Sequence, residues 1–234
     1  MKNILILILF TVFSAAHAAE QIERYGVLPT IQKMTVSPNG KQVAYRAVTL
    51  EQDIISVIDI EQGENLASVD ISSIKPRAIS YINDDNLLLT VSGRAKIPGF
   101  KGTIDLTTAS TYNIKSKKYN QLLVPGKGKI YAGQSSLHKI VGISPNGKSV
   151  YMPAYSGEPS FVGGRQVMPP MSLFKINLNG SGRPRIHKTS KGQVTDYFVN
   201  DEGDVIAREV FDDESNTHSI FAYKGKKSEE IFKS

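Results

Sequence analysis

Three observations predict an all-β chain built as a partial β-propeller of about four four-stranded antiparallel blades. First, the phrase Val36-Ser-Pro-Asn-Gly-Lys-Gln-Val-Ala-Tyr45 returns 107 positions later as Ile143-Ser-Pro-Asn-Gly-Lys-Ser-Val-Tyr151. Second, degenerate copies at Ile82-Asn-Asp-Asp-Asn-Leu-Leu-Leu-Thr90 and Val199-Asn-Asp-Glu-Gly-Asp-Val-Ile-Ala-Arg208 space the four starts 46, 61 and 56 residues apart. Third, a marker recurs in step with them: Val57-Ile-Asp-Ile60, Thr111-Tyr-Asn-Ile114, Lys175-Ile-Asn-Leu178 and Ile220-Phe-Ala-Tyr223. A hairpin, a third strand, a polar turn and a short fourth apolar run, repeated at this period, read as successive propeller blades.

The repeated phrase is a hairpin. Its apolar residue ends one strand, Pro presets φ for the first corner, and Asn-Gly tolerates a left-handed one. Lys-x-Val then restarts a two-residue alternation. Blade one is expected at 32–75, with Lys41 to Ala47 and Ile54 to Ile60 as its best strands. Blade two is expected at 77–125, with Leu87 to Val91 as its hairpin strand, Leu122 to Val124 as its last apolar run and a Gly/Pro-containing connection from Arg94 to Gly102. Blade three is expected at 130–188 and carries the longest insertion, Ser156 to Pro170, whose three prolines and three glycines predict no regular element. Blade four is expected at 193–234. Four blades at this period predict an open arc with exposed apolar end faces, the front part of something longer.

The first residues read as a secretory signal peptide. One charge at Lys2 precedes an apolar stretch, Ile4 to Phe13, broken only by Thr11, and Ala16-His-Ala18 fits a cleavage site. The stretch is far short of the ~20 residues of a spanning helix, although an uncleaved anchor is the rival reading. Residues 1–18 are therefore assigned to the signal, as a helix, and 19–35 to a lead segment. Removing the signal takes away Lys2 and lowers the formal charge from +6 to +5. No other apolar run approaches membrane length, so the mature chain is expected to be free of the membrane and periplasmic or secreted. The Lys clusters at Lys115-Ser-Lys-Lys118 and Lys224-Gly-Lys-Lys227 fall at turns without interleaved aromatics, which speaks against nucleic acid as a partner. The chain has no cysteine, so sheet pairing and burial must hold it in an oxidising compartment.

Tyr25-Gly-Val-Leu-Pro-Thr-Ile31, leading into Met34-Thr-Val-Ser-Pro-Asn-Gly-Lys-Gln-Val-Ala-Tyr45, resembles the start of secreted bacterial peptidases of the prolyl oligopeptidase family, in their dipeptidyl or acylaminoacyl branch. Val150-Tyr-Met-Pro-Ala-Tyr155 and Asn200-Asp-Glu-Gly-Asp-Val-Ile-Ala-Arg208 are similar to that family's WD40-like or TolB-like blades, with Asn39 and Asn146 where Asp is commoner. The resemblance implies a propeller that gates a serine peptidase and selects short peptides. It also implies a C-terminal α/β-hydrolase domain bearing a Gly-x-Ser-x-Gly elbow. No such string occurs here, and the nearest, Gly133-Gln-Ser-Ser-Leu137, lacks the last Gly. The expected partners are thus a peptide or protein and a missing hydrolase domain or second chain. The alternative is a stand-alone TolB-like periplasmic protein-binding propeller, and a lactonase or glycosidase propeller is a weaker third.

No catalytic, cofactor-binding or metal-ligating residue is assigned. His138, His187 and His218 stand alone, without ligands at metal spacing. Asp84-Asp85, Asp201-Glu202 with Asp204, and Asp212-Asp-Glu214 miss the spaced calcium loop, and turn chemistry accounts for the first two. Ser72-Ser73 and Ser135-Ser136 read as loop residues without a local base. Tyr25, Arg94 and Arg165, on leads or loops, are the first places to look for peptide contacts.

Overall fold

The structure, a computed structural model, describes residues 30–49, 51–96, 101–180, 182–189, 192–225 and 227–234, without the side chains of Val162, Arg165 and Gln166. The proposed signal peptide, most of the lead segment and Tyr25 lie outside the described residues. Every strand and helix assigned among the described residues is a strand, and the strands form four four-stranded antiparallel blades in chain order. The first contains β1 (Ile31–Val36), β2 (Gln42–Val48), β3 (Asp53–Asp59) and β4 (Asn65–Asp70). The second contains β5 (Lys75–Asn83), β6 (Asn86–Ala95), β7 (Ile104–Asn113) and β8 (Lys118–Gln121). A short β9 (Ser136–Leu137) joins its edge, parallel to β7 through Thr107 and Thr108.

The third blade contains β10 (Gly142–Ile143), β11 (Ser149–Tyr155), β14 (Met171–Asn177) and β15 (Arg185–Thr189). Between β11 and β14 stands a separate ribbon of β12 (Ser160–Val162) and β13 (Arg165–Val167). The fourth blade contains β16 (Val194–Val199), β17 (Val205–Asp212), β18 (Thr217–Lys224) and β19 (Lys227–Lys233).

The two Ser-Pro-Asn-Gly corners are the same object. In the first, Gly40 N donates to Ser37 O at 2.9 Å, Lys41 N to Asn39 Oδ1 at 2.9 Å and Gln42 N to Ser37 Oγ at 2.9 Å. In the second, Gly147 N donates to Ser144 O at 2.8 Å, Lys148 N to Asn146 Oδ1 at 3.0 Å and Ser149 N to Ser144 Oγ at 2.9 Å. Gly40 and Gly147 hold φ of +71° and +64°, the left-handed corner that a Cβ disfavours. The third corner, at Asn200, repeats the idea: Gly203 N donates to Asn200 O at 3.0 Å and Asp204 N to Asn200 Oδ1 at 2.7 Å.

Blades pack face to face through apolar side chains. Ile55, Val57, Leu87 and Leu89 fill the first interface, Met152, Phe174, Ile176 and Leu123 the second, and Tyr151, Leu173, Val194 and Tyr197 the third. Among the described residues these three clusters serve four blades, as an open arc requires. The outer face of blade one shows Ile31, Met34 and Val36, each more than half exposed. The face of blade four turned from blade three carries Phe198 and Phe232, placed there by the Phe198–Ala207 and Ile220–Phe232 registers.

Three local expectations are corrected. The insertion from Ser156 to Pro170 does contain a regular element, because Gly163 and Gly164, with φ of +56° and +79°, supply the two-residue loop of a hairpin. Leu122 and Leu123 follow β8 instead of forming it and are buried in the second interface. Ser136 belongs to a strand and not to a loop, since the exposed edge of β7 is free to pair beyond the four residues of β8.

Candidate functional site

An arc of this kind has two rims. One collects the hairpin corners, and neighbouring corners bond to each other: Asn39 N donates to Asp84 Oδ1 at 3.0 Å, and Asn83 Nδ2 to Gly147 O at 2.9 Å. A cleft of 470 Å³ lies among Asn39, Gln42, Asn83 and Asp85, but its charged groups are engaged. Asp84 caps the neighbouring corner, and Asp85 pairs with Lys115 at 2.9 Å. Beside it, burial foremost and the Asp84 charge second push the Tyr81 hydroxyl up to about 12, and it reaches Gln42 Oε1 at 3.4 Å. This rim is a latch between blades.

The other rim carries the long connections, and here a cleft of 390 Å³ opens at the far ends of β11 and β14. Its floor comes from Pro153, Ala154 and Tyr155 of β11, Met171 of β14 and Met168 at the foot of the β12–β13 hairpin. Its polar side comes from Gln134, Ser135, Ser136 and Lys139 of the connector before blade three, and from Thr195 of β16. Gln134 fixes the connector: its Nε2 donates to Tyr131 O at 2.8 Å and Tyr155 O at 3.0 Å, and its Oε1 accepts from Tyr155 N at 3.0 Å. The hairpin is pinned at its base by Ser156, whose N donates to Pro170 O at 3.0 Å and whose Oγ lies 2.7 Å from Ser172 Oγ. Lys139 reaches across to blade four and pairs with Asp196. Asp196 is 8% exposed, and its Oδ1 is buried without a hydrogen-bond partner. An uncompensated buried carboxylate oxygen costs free energy, so the ammonium that neutralises it is held firmly in place.

The sequence-picked residues scatter over this frame. Arg94 is not on a loop: β6 runs ten residues and places it opposite Asp105, with Nε 3.6 Å from Oδ1 and both side chains largely exposed. Arg165 sits in β13, and its side chain is outside the described residues. The His187 ring packs tilted against Tyr151, with centroids 4.8 Å apart, between blades three and four. Burial foremost holds its imidazole below the usual range, with Lys175 and Lys188 adding to this and the hydrogen bond to Gly203 opposing it. The His218 ring packs tilted against Phe211, with centroids 4.5 Å apart, and its Nδ1 lies 3.4 Å from Glu209 Oε1. Asp212 accepts from Glu214 N at 3.0 Å and Ser215 Oγ at 2.8 Å, which is turn chemistry at the third acidic group too.

Sequence reading missed a pair. Ser136 Oγ lies 3.1 Å from His138 Nδ1, because residues two apart in an extended segment share a face. A nucleophile and base at this distance form two parts of a catalytic relay, and the third part is a group that orients the base. Among the described residues no carboxylate is paired with His138. The signal for the cleft itself was thin: Lys139 and Asp196 are 57 residues apart in the sequence.

No family model matches the sequence, and no curated protein matches it. Solved structures do. TolB from Acinetobacter baumannii is 16% identical with a TM-score of 0.40, covering 86% of this chain and 43% of its own. The β-propeller domain of the Trilobed protease from Pyrococcus furiosus, described as having an open velcro topology, is 15% identical with a TM-score of 0.45, covering 87% and 58%. Pyrococcus horikoshii acylaminoacyl peptidase is 14% identical with a TM-score of 0.47, covering 87% and 32%. The chain thus spans less than two thirds of the length of each of these three structures.

Proposed function

We propose that this chain is a non-catalytic propeller segment, periplasmic or secreted, that gates the access of peptides to a hydrolase domain supplied by a longer chain or a second one. The observation that carries the reading is the division of labour between the rims. Corner-to-corner hydrogen bonds close one of them, and the other gathers the long connector and the pinned hairpin around a cleft. Loops placed on a rigid scaffold are where proteins ordinarily contact their ligands. The resemblance of the Tyr25 to Tyr45 stretch to secreted prolyl-oligopeptidase-type peptidases supports peptides as the gated class.

Two assays test it. Incubated alone with peptidyl chromogenic substrates, the protein is expected to release no chromophore. Turnover that disappears in Ser136→Ala would show an enzyme in its own right and end the non-catalytic reading. Added to a prolyl-oligopeptidase-type hydrolase domain stripped of its own propeller, the chain is expected to slow cleavage of a long peptide more than that of a dipeptide. Equal effects on both substrates would remove the gate.

A further inference from the structure

The loop-rim cleft is chemically lopsided. Pro153, Ala154, Met168 and Met171 make one side apolar, and the polar residues Ser135, Ser136 and Thr195 line the other. Among the described residues that line it, Lys139 is the one cation. The Lys139 side chain is 58% exposed even while it pairs with Asp196, whose own side chain is 11% exposed. An ammonium has three N–H donors, and the pair with Asp196 leaves donors for an incoming group. Because Asp196 already holds the ammonium, a ligand need not pay the full rotamer entropy of ordering a free lysine.

The geometry points to a binding site for a carboxylate that carries an apolar group, as the C-terminal end of a short peptide does. A ligand cation would meet the Lys139 ammonium first, with the Asp196 oxygens shielded behind it. A carboxylate meets the ammonium beside the exposed hydroxyl of Ser135, since Thr195 Oγ1 gives its hydrogen to Glu209 Oε2 at 3.0 Å and Ser136 Oγ is paired with His138 Nδ1. Its apolar group lies against the two methionines, whose unbranched side chains adapt to varied shapes. The volume, 390 Å³, falls within the range of about 300–1,000 Å³ common to small-molecule sites. The site stands without the gating reading, which enters only in the choice of a peptide as the bearer of the carboxylate.

Calorimetric titration of the whole chain tests this with three probes: N-acetyl-Gly-Leu-Leu as the free acid, its C-terminal amide, and octanoate. The free acid is expected to bind roughly tenfold or more tightly than the amide, the scale of one charge-assisted hydrogen bond. Lys139→Met alone leaves Asp196 buried without its cation, so the double variant Lys139→Met, Asp196→Asn is the cleaner probe and is expected to abolish the preference. Met168→Glu, at a position 46% exposed, places a like charge at the mouth and is expected to weaken the acid with an unchanged circular dichroism spectrum. Binding of octanoate without the peptide keeps the carboxylate site and assigns it to free acids. Equal affinity for acid and amide, no binding of any probe, or indifference to both variants overturns the site. Failure here is separable from failure of the gate, since this titration reads binding to the arc alone and the gate is read in the cleavage of long and short peptides.

Discussion

At the scale of single residues, His187 carries the clearest pH dependence. Its burial against Tyr151 beside two lysines favours the neutral ring in the folded state. The unfolded chain therefore takes up the proton first as the medium is acidified, and a state that binds more protons unfolded than folded loses stability as pH falls. The contribution is level above the ordinary imidazole value of about 6.5, declines below it and levels off beneath the folded value. Urea midpoints measured at about pH 7.5 and about pH 5.5 are expected to fall with acid in the wild type and to fall less in His187→Gln. An unchanged slope in the variant would place the loss elsewhere. Asp70 and Asp212 do not confuse the window: serine hydrogen bonds hold both below the usual carboxylate range, so their loss lies at more acidic pH. At this same scale the corners were legible in advance. Ser-Pro-Asn-Gly encodes its own hydrogen bonds, and Ser37 and Ser144 make the same ones. Ser136 beside His138 was legible only once an extended backbone was known there.

At the scale of elements, the blades differ in how firmly they are held. Among the described residues, eleven buried ones fill each of the first two interfaces and four fill the third, so blade four has the least apolar burial to lose on local opening. Polar contacts join it to blade three as well: Tyr197 Oη donates to Met171 O at 3.0 Å, and Lys188 Nζ sits 4.3 Å over the Tyr223 ring. Native-state amide exchange is expected to release β17 and β18 before β3 and β7. Simultaneous release of all four strands would mean that the arc opens as one unit. The hairpin of β12 and β13 shows why the longest insertion was misread. Proline and glycine content predicts where regular structure breaks, but two adjacent glycines between short β-prone runs also build the tightest ribbon turn. Leu122 and Leu123 were apolar for a reason that a strand pattern cannot distinguish, since they face a neighbouring blade.

For the whole molecule, the end faces of the arc matter most. Phe198 and Phe232 are 40% and 50% exposed on a face that no described blade covers. Exposed apolar faces of this kind associate, and removing them from an uncovered surface changes folding stability little, within about 0.5 kcal/mol. The double variant Phe198→Ser, Phe232→Ser is expected to lower concentration-dependent self-association in light scattering and to leave the urea midpoint nearly unchanged. Leu89→Ala, in the first interface, sets the contrast, with an expected loss of about 2–5 kcal/mol. A similar loss in the phenylalanine variant would show that the face is covered in solution.

The repeat, the hairpin corners and the succession of four antiparallel blades followed from the amino-acid order alone, because turn chemistry and two-residue alternation act between residues close in the chain. Which blade interface is thin, which rim is latched shut, and the meeting of Lys139 with Asp196 beside two methionines depended on packing between distant segments, and local patterns carry no record of those distances.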